Sequence, residues 1–376
     1  MTQPEATGGE GTSYGEAGVD YEALDEAKRA AMALALSTSS LMAPAGARAI
    51  DASRGEPAFA FELDGRTLAF VVEGLGTKSV IARQVLEGQG IDRFAEVAYD
   101  AVAAIVNDLC CVGALPLVVN AYFATGSSAW YARADRARSL VEGWRRACED
   151  AGCAWGGGES PSLSGLVSES EIELAGAAVG AVPRGRAAIL GEELAPGDEI
   201  VLVASNGLHA NGASLARLIA GRLPEGYATR LPGGATFGEA LLEPSAMYVP
   251  LVRELLTHRI PLTYLSHITG HGLLKLMRRP VELRYRIAQL PERPPEVLGF
   301  LAEQAGMDAA EAHRTFNMGA GFALYAAKGS AAEIVAIAGR LGLHAWLAGA
   351  VEEGPREVLL EPLAVRYTGE ELELSA

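Results

Sequence analysis

Apolar residues along the chain follow two periods, and the period switches mark the elements. PAFAFELDG at 57–65 and RTLAFVVEG at 66–74 alternate in and out, and the Asp64–Gly65 join between them predicts a β-hairpin. Helical spacing follows over 79–87 and 92–113. LPLVVNAYFATG at 115–126 predicts a strand, 131–151 a helix, and IELAGAAVGAV at 172–182 a buried strand. Ahead of these, 1–13 is small, polar and expected to be mobile, 21–36 predicts a helix and 40–57 a loop. The pattern changes at the APGD turn and the apolar run EIVLVAS, which sets a domain boundary near 183. The second part predicts helices at 211–221, 245–257, 272–278 and 331–341, with strands at 284–288, 320–326 and 346–351. Hairpins mixed with helices predict an α+β fold of two α/β domains, 1–183 and 184–376.

Composition narrows the function classes. The 376 residues suit about two domains, and 49% hydrophobic content can fill large cores. The net charge of -16 comes without a dense basic cluster, since RRACED at 145–150 and LMRRP at 276–280 are short and mixed. That argues against nucleic acid as a partner but leaves room for a small phosphorylated substrate, which backbone amides and one or two cations can hold. Cys110, Cys111, Cys148 and Cys153 show no metal-binding spacing and read as free thiols of a reducing compartment. No secretory leader and no membrane-spanning run is seen, so a soluble, cytoplasmic protein is expected.

Several stretches carry polar groups in apolar or glycine-rich settings. In EVAYDAVAAIVNDLCCVGALP at 96–116, helical spacing puts Asp100, Asn107 and Asp108 on one face of a buried helix. A carboxylate there needs a metal, a cation or a cap as partner. VVEGLGTKS at 71–79 ends a strand with Glu73 and turns through Gly74, Gly76 and Thr77 to Lys78, a point charge suited to phosphate, though the spacing is not that of a Walker A loop. WGGGESPS at 155–162 offers Gly157, Gly158 and Glu159, an oxygen ligand for magnesium or part of a plain loop. ASNGLHANG at 204–212 brings Asn206, His209, Asn211 and Gly212 to a helix start, a favourable place for an anion. SHITGHG at 266–272 repeats that arrangement with His267, Thr269, Gly270 and His271. HRTFNMGAG at 313–321 adds Arg314 and Asn317, or a capped turn anchored by Phe316.

Taken in order, SYGEAGVD at 13–20, GLGTK at 74–78, VNDLCCVGALPL at 106–117, YFATG at 122–126, GGES at 157–160, HANG at 209–212, HITGHG at 267–272 and RTFNMGAG at 314–321 resemble the aminoimidazole ribonucleotide synthetase family, the phosphoribosylformylglycinamidine cyclo-ligases. The resemblance implies a homodimer whose N-terminal sheets complete a barrel between subunits, with a sandwich-like mixed α/β C-terminal domain. It implies a purine-biosynthesis ligase using ATP and Mg2+ to close the ring of formylglycinamidine ribonucleotide. By the same resemblance, Glu73, Asp108 and Glu159 face metal. Gly74, Gly76, Thr77, Lys78, Asn107, Asp108, Gly157, Gly158 and Glu159 serve the nucleotide. His209, Asn211, Gly212, Thr269 and Gly270 face the substrate, and Lys78, Asp108 and His209 are the catalytic candidates. The chain departs from the family pattern where Val71–Val72 replace Gly-Thr, Glu73 and Ala121 replace Asp, Ser162 replaces an acid and His271 replaces Gly; a Gly/Phe-rich nucleotide loop is also not seen in MAPAGARAIDASRGEP. Those departures keep two other readings open: an ATP-dependent enzyme of the same superfamily with a different small substrate, and a nucleotide-binding paralogue without turnover.

Overall fold

A computed structural model describes residues 31–373. SYGEAGVD, the N-terminal tail and most of the 21–36 helix lie outside the described residues; only α1, over 31–37, continues into them. The expected hairpin is β2 (Phe59–Leu63) with β3 (Arg66–Gly74). Its turn takes Asp64 at φ 49° and Gly65 at φ 70°, the left-handed pair that matches strand twist. A short β1 (Ala47–Ala49), with β4 (Leu115–Thr125), β5 (Ala154–Glu159) and β6 (Ile172–Ala181), completes a six-stranded sheet ordered β1-β2-β3-β6-β4-β5. Helix α3 (Phe94–Cys110) lies against β3 and β6, flanked by α2 (Lys78–Gln89) and α4 (Ala134–Ala151).

The second sheet has seven strands: β7 (Glu199–Ala204), β8 (Leu262–His267), β9 (Leu283–Ile287), β10 (Ala320–Ala326), β11 (Ala345–Glu353), β12 (Glu357–Leu360) and β13 (Val365–Thr368), ordered β13-β12-β9-β11-β7-β10-β8. Every pairing is antiparallel except β12 with β9. Its helices include α5 (Ala213–Arg222), α6 (Val249–Thr257) and α7 (Ala309–Thr315), and Gly272–Met277 forms a 3-10 turn. The architecture is thus two mixed α/β halves, with neither sheet closed into a barrel within the protomer.

Three expectations shift. WGGGES is not a loop: residues 154–159 form edge strand β5, parallel to β4. The glycines permit this, because a Cβ on Gly158 would stand 2.1 Å from the Ala121 carbonyl oxygen and one on Gly156 2.4 Å from Asn120 Oδ1. The helix expected from 245 starts only at Val249, because side chains of α3 take the amides of Ser245 and Tyr248. The 272–278 segment is a 3-10 turn and not an α-helix.

One hydrophobic cluster runs through both halves, joining Val106 and Trp144 of the first to Leu251 and Phe322 of the second. The opposite face of the first sheet is uncovered: Phe70, Val72 and Tyr122 are exposed beside Ala175, Ala177 and Val179.

Candidate functional site

A cavity of about 750 Å³ opens between the two halves, within the roughly 300–1,000 Å³ range of small-molecule sites. The first half supplies one wall. Strand β3 delivers Glu73, and the chain then turns through Gly74–Thr77 with Gly76 at φ 72°. From Val97 to Cys111 only Ala104 and Asp108 keep partial exposure, one helical turn apart, and both line the cavity.

The second half supplies the facing wall. Ala210, Asn211 and Gly212 lead into α5, whose first amides have no side-chain cap. Gly212 sits at φ 98°, and a Cβ there would stand 2.8 Å from the Phe316 ring, so only glycine fits. His267, the last residue of β8, is followed by Thr269, Gly270 and His271, and Lys275 projects from the 3-10 turn beyond them. Thr77 Oγ1 and Ser214 Oγ, 3.2 Å apart, tie the two helix starts together.

Charges concentrate on the cavity floor. His267 Nδ1 donates to Asp108 Oδ1 at 2.6 Å, leaving its buried Nε2 without a partner among the described residues. Burial alone would raise the Asp108 carboxyl; the His267 hydrogen bond and charge, with Lys275 and Arg278 beyond, outweigh it and hold Asp108 below the usual range. Glu73 goes the other way. Burial, then the charge of Asp108 and the hydrogen bond to it, lift Glu73 to about 7. Burial and neighbouring Arg278 bring Lys275 down to about 8, which keeps it mostly charged at neutral pH.

Other residues singled out from the sequence lie elsewhere. Lys78 does not line the cavity: its Nζ is fully buried, 2.5 Å from Asp100 Oδ2 and 2.8 Å from the His209 carbonyl oxygen. Asn107 is buried and clamps the other half, donating to Ala246 O and accepting from Tyr248 N. His209 is buried at φ 60°; its Nε2 lies 3.0 Å from Asn206 Oδ1 and 3.4 Å from the Ala246 amide, and Asn206 Nδ2 donates to Pro244 O. Burial holds the His209 imidazole well below its ordinary pKa. Gly157, Gly158 and Glu159 are exposed on β5, outside the cavity. Glu73, Gly74, Gly76, Thr77, Asp108, Asn211, Gly212, Thr269 and Gly270 are the predicted residues that the cavity brings together. Lys275 was missed; a lone lysine inside the apolar run LLKLM was its only sequence signal.

Among the described residues no group of three or more His, Cys, Asp or Glu is arranged to hold a metal alone. The neighbouring carboxyls Glu73 and Asp108 nonetheless suit magnesium, which is usually held by one or two carboxylates together with ligand phosphates.

The fold and the cavity define a two-halved α/β protein with an oxygen-rich site walled by both halves. The chain belongs to the AIR synthase related protein family: the family's N-terminal domain matches residues 55–182 and its C-terminal domain residues 195–360. It is 39% identical over 293 residues to a phosphoribosylformylglycinamidine cyclo-ligase of Anaeromyxobacter sp. strain Fw109-5, covering 77% of this chain and 81% of that protein. It is 32% identical to the one of Pseudothermotoga lettingae, over 93% of this chain and all of that protein. In fold it is similar to the hydrogenase maturation protein HypE crystallised in complex with ATP, with a TM-score of 0.56 at 16% identity, covering 80% and 83% of the two chains.

Proposed function

We propose that the protein is a phosphoribosylformylglycinamidine cyclo-ligase, closing the imidazole ring of formylglycinamidine ribonucleotide at the expense of ATP. One observation carries the reading: the Glu73–Asp108 carboxyl pair faces the 210–212 and 269–271 turns across a single cavity. The cavity thereby offers acids for a nucleotide-bound cation opposite amide-rich turns for a phosphorylated substrate. The resemblance to named cyclo-ligases over most of the chain supports the same reading.

In this reading the amide oxygen of the substrate attacks the terminal phosphoryl group of ATP and ADP departs. A nitrogen of the same molecule then attacks the activated carbon, and phosphate leaves as the ring closes. Glu73 and Asp108 would hold magnesium, which supplies charge neutralisation when bound. Thr77, Asn211, Gly212, Thr269 and Gly270 hold the two ligands in register, since the ring-closing step depends on proximity. Lys78, Asn107 and His209 act behind the wall by fixing the segments that carry those contacts. Glu159, Gly157 and Gly158 lie outside the protomer's cavity, so a nucleotide role for them requires a second copy of the chain. The uncovered Phe70–Val72–Tyr122 face is the surface we assign to such a homodimer, and a sedimentation mass of one chain would refute it. The domain limits 1–183 and 184–376 and a cytoplasmic location belong to the same proposal; among the described residues no helix is long and apolar enough to cross a membrane.

His271 favours a second reading, because it stands on the cavity wall where the family pattern has glycine. It supports a related ATP-dependent enzyme with another acceptor. Of the other departures, Ala121 and Ser162 do not line the cavity and lend that reading no support, while Glu73 lines it and keeps a carboxyl. The deciding experiment incubates the protein with ATP, magnesium and formylglycinamidine ribonucleotide, following aminoimidazole ribonucleotide and ADP together. Equal amounts of both are expected; ADP release without the ring-closed product would transfer the case to the second reading.

A further inference from the structure

We propose that Lys275 is the phosphoryl-binding cation of the interdomain cavity, the role that sequence alone suggests for Lys78. The proposal deepens the reading above, since it takes the cavity to receive a phosphorylated ligand.

Cations on the cavity wall are few. Among the described residues Lys275 and Arg314 are the lysine and arginine that line it. Arg314 is half exposed at the rim and has Glu371 3.9 Å away. Lys78 is sealed against Asp100 and the His209 carbonyl. Arg278, close behind, spends its guanidinium on the Gly55 carbonyl, at 2.8 and 3.0 Å, with Glu56 3.8 Å away. Lys275 differs from all of these. It is partly exposed to the cavity, and among the described residues no hydrogen bond or ion pair holds its ammonium. Asp108, the nearby acid, is already engaged by His267, and Glu73 is engaged by Asp108.

An ammonium that faces the cavity and is not already bound by a protein group is free to pair with an arriving anion in a charge-assisted hydrogen bond. The backbone beneath it is rigid. Ser266 Oγ donates to the Lys275 carbonyl at 3.0 Å, and Leu273, Leu274, Leu276 and Met277 are buried around it. The side chain is therefore held at the floor, opposite the uncapped start of α5. Its ligand is a phosphoryl group, which reaches the cavity either on the nucleotide or on the sugar phosphate of the substrate.

The test titrates the full-length wild type, Lys275→Met and Lys275→Arg by calorimetry with pyrophosphate, with ATP–magnesium and with formylglycinamidine ribonucleotide. Ligand-free melting temperatures are recorded alongside. The methionine variant is expected to bind at least one probe about 10- to 100-fold more weakly, with arginine recovering most of the loss. Loss confined to ATP–magnesium assigns the lysine to the nucleotide, and loss confined to the ribonucleotide assigns it to the sugar phosphate. The ligand-free methionine variant is expected to melt close to wild type, because no hydrogen bond or ion pair of the ammonium is lost and its attraction to the acids acts at longer range. A melting temperature several degrees lower would make Lys275 a structural counter-charge to the acids and overturn the proposal. So would affinities all within about twofold of wild type, or a wild type that binds none of the three probes. Binding that depends on Lys275 without any ring-closed product would instead sink the cyclo-ligase reading and leave this proposal standing.

Discussion

The molecule contains two sets of lysine, acid and histidine with opposite fates. Lys78, Asp100 and His209 form one; Lys275, Asp108 and His267, with Glu73, form the other. In the first set the lysine and aspartate side chains are fully buried, and their partners are inside the protein: Lys78 meets Asp100 and the His209 carbonyl, and Asp100 Oδ1 accepts from Ser245 N at 2.6 Å. Each set keeps one buried histidine nitrogen without a partner among the described residues, His209 Nδ1 in the first and His267 Nε2 in the second; in the second, however, the Lys275 ammonium is also unbound and a cavity lies in front. Both acids stand on α3, two turns apart. Residue type and helical face do not separate them; the neighbours that reach each one do. A charge cluster sealed inside the protein holds a fold together, whereas one that faces a cavity is available to a ligand.

The comparison breaks or sharpens at three points. The largest effect is expected from Asp100→Ala, which strands Lys78 as an uncompensated buried charge. It should cost about 3–5 kcal/mol of unfolding free energy, read from a urea titration. An unchanged urea midpoint would mean that the sealed set is not structural. Next, Asp108→Asn should lower kcat/KM roughly 10²- to 10³-fold with little change in melting temperature, because an amide oxygen can still accept from His267. Retained turnover would place the open set outside the chemistry.

The smallest effect is a pH dependence of the sealed set. The folded pKa of His209 lies below the unfolded value, so the unfolded chain takes up the proton first. The stability that this histidine contributes is therefore complete above about pH 6.5 and is lost below it, by up to about 1.4 kcal/mol per pH unit. Denaturant midpoints of wild type and His209→Gln, followed from pH 7.5 to pH 5, should converge on acidification. Parallel curves would show that His209 is not held neutral.

The sequence was informative wherever the physical demand was local. The hairpin at Asp64–Gly65 and the apolar helix with acids on one face were legible because turn chemistry and periodicity are short-range. That Asp100 and Asp108 needed partners was equally legible, but their identity was not. Lys78 lies 22 positions before Asp100 and His267 lies 159 after Asp108, and only the tertiary fold brings them together. Strand β5 was hidden by its own glycines, which read locally as a loop and are required by the close approach of β4. Lys275 was invisible for the same reason as Asp108's partner: its meaning comes from the groups that do not reach it.

The way α3 and α2 hold the second half has a consequence for recombination between related genes. Lys78 grips the carbonyl of residue 209, Asp100 the amide of 245, and Asn107 the carbonyl of 246 and the amide of 248. Each of these bonds addresses main-chain atoms, which every parent sequence supplies. A crossover near codon 183 therefore leaves the clasp intact whatever side chains the incoming half carries at those positions. Asp108 with His267 is different, because that bond joins side chain to side chain. Chimaeras can inherit the fold from the shape of the backbone, but they inherit the site only when both parents agree on that pair.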